Sequence, residues 1–371
     1  MRFFLSSLFC ICLFLTACSS SEQETHEAPP KSATPPPIEA EDSRNIEPIT
    51  ARSAYIEVFD WFDESSVLYL EETKEQSTLF AYELLTGNKE TLFKKENGWI
   101  ASVQANADHR LFAVEVIDSF NRAALHIVDR EGTTQMVIDD VGESYSVYWN
   151  PYVTTQFLLV AYLPDWQYDL FFVDVENEKM LSLNPVQTYF QWLSETKASY
   201  LNWSETEPSY HAPLYEIDVR TGEVTKKFDE LIAFMSFPHH LAITVSIQSI
   251  YDQYTTYTFY KGESPIQQLE IPILNTYSEQ MWTPFYAYDS KGEIFYYLRP
   301  KYSADYIRYE DGFELTAFHI KSGAEERLTE LTADEPLNIS PNGEWLLIGS
   351  RYERAFHIPS KQMFPLVVDD E

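Results

Sequence analysis

From about residue 54 onward the apolar side chains fall into short runs bounded by turn-forming residues, and few stretches carry the spacing of an amphipathic helix. The clearest unit closes the chain. Residues 337–339 form an apolar run that breaks at Ser340-Pro341-Asn342-Gly343 and resumes from Trp345, as two antiparallel strands joined by a tight hairpin do. Residues 355–358 follow as a third strand, Pro359-Ser360-Lys361 as its turn, and residues 363–368 as a fourth. Four strands in about 33 residues make one blade of a β-propeller.

The same order recurs upstream. Turns between third and fourth strands are expected around Gly87, Gly132, Asn177, Gly222, Gly262 and Gly323, and positions 87, 132, 177 and 222 are spaced by 45 residues. Inner hairpin turns precede them at Asp63-Glu64-Ser65, Asn106-Ala107-Asp108, Asn150-Pro151-Tyr152, Ser194-Glu195-Thr196, Phe237-Pro238-His239 and Asp289-Ser290-Lys291-Gly292. One such unit cannot cover its own apolar faces, so units are needed in number. The expectation is an all-β protein, a β-propeller of seven four-stranded blades over residues 51–371, with the ring-closing strand coming from either terminus. A two-sheet sandwich plus a second β domain competes, but it does not account for the constant spacing.

Composition narrows the partners. The 44% apolar and 15% aromatic content suits a large sheet core. Lys and Arg number 26 against 58 Asp and Glu, a net charge of -32, and so acidic a surface repels phosphates, which argues against nucleic acid. Cys10, Cys12 and Cys18 are the only cysteines, so the folded part is expected to hold neither a disulfide nor a thiolate metal site.

The N-terminus supplies an anchor. Met1-Arg2 precedes an apolar stretch over residues 3–15, too short to be kept as a spanning helix and built like a secretory signal. Leu15-Thr16-Ala17-Cys18 resembles the lipobox of bacterial lipoproteins, which implies cleavage after residue 17 and acylation of Cys18. A diacylated cysteine holds a protein stably on a bilayer. Residues 18–50 are rich in Pro, Ser, Thr and Glu and read as a disordered tether spanning on the order of 30 Å. The folded part is thereby placed on the extracytoplasmic face of the cell membrane.

Ser340-Pro341-Asn342-Gly343-Glu344-Trp345-Leu346, and more weakly Asp289-Ser290-Lys291-Gly292-Glu293-Ile294, resemble the inner hairpins of TolB-type propellers. Lipobox, Pro-rich tether and acidic propeller together resemble the YqgU-like β-propeller lipoproteins of Gram-positive bacteria. The resemblance implies fold and location; the repeat motif carries no catalytic residue.

Catalytic motifs are absent from the sequence: neither a glycine-rich phosphate cradle, nor His-Glu-x-x-His, nor Gly-x-Ser-x-Gly occurs. Ser194 and Lys197 have Ser-x-x-Lys spacing but fall in an expected hairpin turn. His239 and His240 are adjacent and point different ways, a poor pair for one metal. Asp139-Asp140 and Asp369-Asp370-Glu371 lack the spaced ligand loop that calcium needs. Trp61, Trp149 and Trp192 recur before inner turns and are expected to pack blade on blade. No cofactor and no metal is expected.

Topology offers one positional inference. The loops between second and third strands open on the same side as the blade-to-blade connections. They carry Arg122, Trp166, Tyr168, Trp203, Tyr210, His211, Tyr251, Tyr254, Arg299, Lys301, Tyr302, Tyr306, Arg308 and Arg351. Exposed aromatics and arginines on loops of a rigid scaffold are what recognition surfaces use. The expected function is a monomeric binding or scaffold module for an envelope protein or glycan. A propeller hydrolase or lyase with a site at the channel mouth, and an envelope assembly factor, are the alternatives.

Overall fold

The structure, a computed structural model, describes residues 45–51, 55–184, 186–204, 206, 209–276 and 281–369. The expected signal peptide, Cys18 and the tether up to residue 44 lie outside the described residues. Seven antiparallel four-stranded sheets follow one another along the chain, at residues 55–96, 98–139, 144–183, 191–231, 233–272, 286–331 and 337–365. These are the seven blades, numbered one to seven below. Among the described residues helix is limited to two 3-10 turns, Pro164–Trp166 and Tyr306–Arg308.

Within a blade the strands run in simple succession from the axis outward, so the inner hairpin turn and the outer hairpin turn share one side. Backbone bonds between the two turns recur in blade after blade: Leu84 N–H to Ser65 O at 3.0 Å, Val175 N–H to Thr155 O at 2.9 Å, Val219 N–H to Thr196 O at 2.9 Å and Ile358 N–H to Glu344 O at 2.9 Å. This side is the turn face. The second-to-third loops and the blade connections form the opposite, loop face.

The outer turns explain the repeat spacing. Gly87, Gly132 and Gly222 have φ of 70°, 79° and 73°, a region that glycine enters without steric cost. At Gly132 an added Cβ would also lie 2.4 Å from the Leu92 carbonyl oxygen. Blade three departs from the register, because there Glu178 at φ 50° takes the left-handed position that the 45-residue spacing gave to Asn177.

One buried apolar cluster fills each seam between neighbouring blades. The repeated tryptophans stitch three of these seams. The indole N–H of Trp61 donates to Asn338 O at 3.2 Å, that of Trp149 to Gln104 O at 3.4 Å and that of Trp192 to Tyr148 O at 2.7 Å, each reaching the innermost strand of the preceding blade. The expected blade-to-blade role is therefore the observed one. Buried Asn106 and Asn150 act similarly on the turn face, donating to Thr154 O at 2.8 Å and Glu195 O at 3.0 Å in the next blade.

Ring closure differs from the expectation in one respect. No blade mixes strands from both termini, because blade one is built wholly from residues 55–96 and blade seven from 337–365. Instead Ile49–Ala51 pairs in parallel with Val367–Asp369 outside the blades. The last expected strand, 363–368, thus splits at Leu366. The tether boundary drawn at residue 50 also moves. Ile46 and Ile49 are buried with Trp61, Trp345 and Leu366 in the seam between blades seven and one, and burying two isoleucines fixes the chain that carries them. Glu47 accepts a bond from the Tyr82 hydroxyl at 2.8 Å and donates to Leu84 O at 2.8 Å, so the chain enters the propeller on the turn face.

Candidate functional site

The two faces differ in what they expose. Of the large apolar side chains that the described residues leave exposed, only Leu85 lies in a turn of the turn face, whereas the loop face carries an arc of them over blades two to six. Trp166 is 99% exposed, Tyr251 87%, Phe120 78% and Ile307 72%. The arc thins at the junction of blades seven and one: the loop of blade one is Thr73-Lys74-Glu75, and Arg351 of blade seven stands over the ring of Tyr55, which is itself 48% exposed, at 5.7 Å.

Local geometry sets how each residue is presented. Asp165 and Trp166 both have φ of 63°, a conformation costing a residue with a side chain on the order of 1–3 kcal/mol. Such outliers cluster at ligand clamps, and here the strain lifts the indole clear of the blade. In the loop of blade six the Asp305 carboxylate accepts the Ile307 N–H at 3.0 Å, capping the 3-10 turn that carries Tyr306, Ile307 and Arg308. Leu274–Asn275 pairs in parallel with Ala304–Asp305, tying this loop to the connection between blades five and six. Arg122 grips Asp118 with two bonds, at 2.9 and 2.7 Å, and its guanidinium lies 5.5 Å from the Phe120 ring centre. The Arg122 N–H and guanidinium hold the Asp118 carboxyl below the usual carboxylate range.

The fourteen expected residues separate into two groups. Trp166, Tyr210, His211, Tyr251, Tyr254, Tyr306, Arg308 and Arg351 are exposed on the loop face. Arg308 has no ion-pair partner among the described residues. The others are engaged by the blades themselves. Arg122 is bound to Asp118 as above. Arg299 is not in a loop but in the second strand of blade six, where it donates to Glu270 O at 2.8 Å and pairs with Glu325 at 3.3 Å. Lys301 pairs with Glu330 at 3.2 Å, and the Tyr302 hydroxyl donates to Asp311, which pushes the Tyr302 pKa up. Tyr168 packs on the cluster between blades three and four, and Trp203 is half-buried. Phe120, Tyr189, Phe285 and Ile307 belong to the exposed set but were not among the fourteen. Tyr189 and Phe285 lie in blade connections, which share the face with the loops, and that topological signal was available.

The remaining candidate chemistry has structural roles. The Lys197 ammonium donates to Glu216 at 2.5 Å, a bond that raises its pKa, so it stays protonated and is no base for Ser194. His239 and His240 form the inner turn of blade five with φ of 62° and 58°, and His240 stacks on Tyr152 at 5.4 Å. Among the described residues no group of three His, Cys, Asp or Glu is placed to hold a metal ion. One buried carboxylate, Glu115, stitches blade two to blade three by accepting from Ser102 at 2.9 Å and from the Tyr145 N–H at 3.0 Å; burial raises its pKa against those two bonds.

Comparison with known proteins agrees with this architecture. The chain is 27% identical over 368 residues to YqgU of Bacillus subtilis (strain 168), named as a lipoprotein, covering 98% of this chain and 97% of that protein. Among solved structures, protein lmo1340 of Listeria monocytogenes EGD-e superposes with a TM-score of 0.78 at 16% identity, over 87% of this chain and 98% of that one. The propeller domain of the trilobed protease from Pyrococcus furiosus, described as having an open velcro topology, superposes at 0.56 and 12% identity over 85% of this chain and 99% of that one. An oligogalacturonate lyase in complex with manganese superposes at 0.54 and 9% identity, over 82% and 92%. These likenesses show the fold. Residues 83–349 match the family described as the YqgU-like 6-bladed β-propeller domain; the match begins at the end of the third strand of blade one and stops inside blade seven, and this chain closes its ring with seven sheets. The chain belongs to the YqgU-like β-propeller family.

Proposed function

We propose that the protein is a lipid-anchored extracytoplasmic propeller that recruits another cell-envelope protein through its loop face. The observation that carries this reading is the one-sided arc of exposed apolar side chains, headed by Trp166, Tyr251, Phe120 and Ile307. Contiguous exposed apolar surface rimmed by polar groups marks interaction sites, and aromatic and arginine side chains dominate binding energy at protein interfaces. The aliphatic members, Ile250 and Ile307, favour a protein over a glycan, because aliphatic side chains lack the flat face on which a sugar ring stacks. The lipobox at Cys18 and the relative named as a lipoprotein support membrane anchoring. Glu47, among the first described residues, is bonded on the turn face, opposite the arc.

The test is to replace Phe120, Trp166, Tyr251 and Ile307 together by serine in the full-length chain and compare the proteins recovered after crosslinking in intact cells. One or more envelope proteins are expected to be lost from the crosslinked set while the thermal unfolding temperature is retained. An identical recovered set with the fold intact overturns the proposal.

A further inference from the structure

The seams between blades are filled unevenly. Six hold ten or more buried apolar residues, but the seam between blades four and five holds three, Leu214, Leu231 and Phe234. One cross-strand pair accounts for much of the difference. Where the second and third strands face the next blade, blade two has Ala113 opposite Ile127, blade three Leu158 opposite Phe172 and blade five Ile243 opposite Phe259. Blade four has Ser199 opposite Glu216. Glu216 is only 7% exposed; it accepts from Lys197 Nζ at 2.5 Å and forms an ion pair with Lys227 Nζ at 3.3 Å.

Lys227 reaches this seam as the extra residue of the register shift between Leu214 and Tyr215; the matching shifts in blades one and six carry Leu92 and Leu328, which pack in their own seams. A bulge re-aims the side chains beside it. The outcome is a cleft of 460 Å³ with an apolar floor of Leu193, Leu214, Phe234 and Leu241 and the two ammonium groups on its wall, opening at the turns of Ser194, His240 and Glu263. That volume lies within the roughly 300–1,000 Å³ of small-molecule sites. A buried carboxylate held by two lysines is less stabilising than the apolar packing of the sister seams.

We propose that this cleft binds a small amphipathic molecule with an anionic carboxylate or phosphate head, the head on Lys197 and Lys227 and the apolar body on the floor. In contact, Glu216 offsets one of the two ammonium charges, and Asp218, opposite Lys197 in the sheet, turns its carboxylate to the Arg220 and Thr221 N–H groups; Glu223 near Lys197, Glu263 at the mouth and the whole chain's -32 also oppose an anion. At physiological salt, charges farther apart than about 8 Å are largely screened, so the ammonium charge that Glu216 leaves unmatched on the two lysines decides. The site is on the turn side and independent of the loop-face reading, and neither test depends on the other.

The unit Arg44–Glu371 holds every described sheet, every seam cluster and the closing pair, so it can be examined without the leader. Calorimetric titration with octanoate and octyl phosphate against neutral octanamide is the experiment. The anions are expected to bind saturably and at least about ten-fold tighter than the amide, the size of one charge-assisted hydrogen bond. Replacing Lys197→Gln and Lys227→Gln together is expected to equalise anion and amide. Glu216→Phe puts the phenylalanine of blades three and five opposite Ser199 and fills the cleft; it is expected to raise the Tm and abolish binding, which separates loss of the site from loss of the fold. Sedimentation with phosphatidylglycerol vesicles distinguishes the source: lysine-dependent sedimentation assigns a bilayer headgroup, and its absence beside octanoate binding assigns a free ligand. No preference for the anions, or full binding by the Glu216→Phe variant, overturns the proposal.

Discussion

Two seams of this ring answer opposite demands. Between blades seven and one the chain is discontinuous, and the protein places thirteen buried apolar residues there, adds the parallel pair of Ile49–Ala51 with Val367–Asp369, and ties Asp60 to Asn338 Nδ2 at 2.8 Å. Between blades four and five the chain is continuous, and packing thins to three buried apolar residues around a charged centre. Covalent continuity keeps two blades adjacent without dense packing, whereas blades far apart in sequence stay together only through side chains and strand pairing. A propeller can therefore give up packing in an interior seam and not in its closing one.

The comparison can be broken most forcefully at the closing seam. Ending the chain after Leu366 removes the partner strand of Ile49–Ala51 and loosens Ile46 and Ile49, and it is expected to lower unfolding free energy by at least about 3 kcal/mol in urea titrations. Trp61→Ala, which empties a fully buried site and drops the bond to Asn338 O, is expected to cost about 3–5 kcal/mol. Phe234→Ala in the thin seam is expected to cost about 1–2 kcal/mol, below the usual range for a buried phenylalanine, because the cleft it lines already admits water. Equal losses for Trp61 and Phe234 would erase the distinction between the seams. Glu216→Phe should stabilise by about 1–3 kcal/mol, since it exchanges a buried carboxylate for apolar packing while the two half-exposed lysines turn to water.

The smallest effect sharpens the picture at the seam between blades two and three. Burial raises the Glu115 pKa above its ordinary value of 4.5, so folding binds its proton more tightly than the unfolded chain does. The stability tied to that proton is complete below about pH 4.5 and is lost as pH rises through the raised folded value. Glu115→Gln keeps an acceptor for the Tyr145 N–H and a partner for Ser102; it is expected to change stability at pH 7 by less than about 1 kcal/mol and to flatten this part of the stability profile. A profile unchanged by the substitution would assign the pH dependence to other groups.

Much of the fold was legible because the repeat is written in backbone constraints. Left-handed outer turns call for glycine, and Gly87, Gly132 and Gly222 mark them; Trp61, Trp149 and Trp192 mark the positions that reach the preceding blade. The closing pair was not legible, because three residues behind Pro48 give too short a run to stand out from the tether and parallel pairing leaves no hairpin signal. The exposed arc was legible only in part. Tyr69, Tyr257 and Tyr297 are buried in strands while Tyr251 stands free in a loop, and composition treats them alike. Arg299 was misplaced by one strand end, so a cation bound between outer strands counted as a loop residue. Glu216 was readable once the third strands are laid over one another, since a carboxylate stands where Ile127, Phe172 and Phe259 stand elsewhere.

Recognition through one face is tested most directly by placing a photo-crosslinking amino acid in the full-length chain in living cells, at Trp166 or Tyr251 on the loop face and at Leu85 or Lys321 on the turn face. A discrete crosslinked protein adduct from the first two positions and none from the second two is the expected result. Adducts from both faces alike, or from the turn face alone, would contradict it.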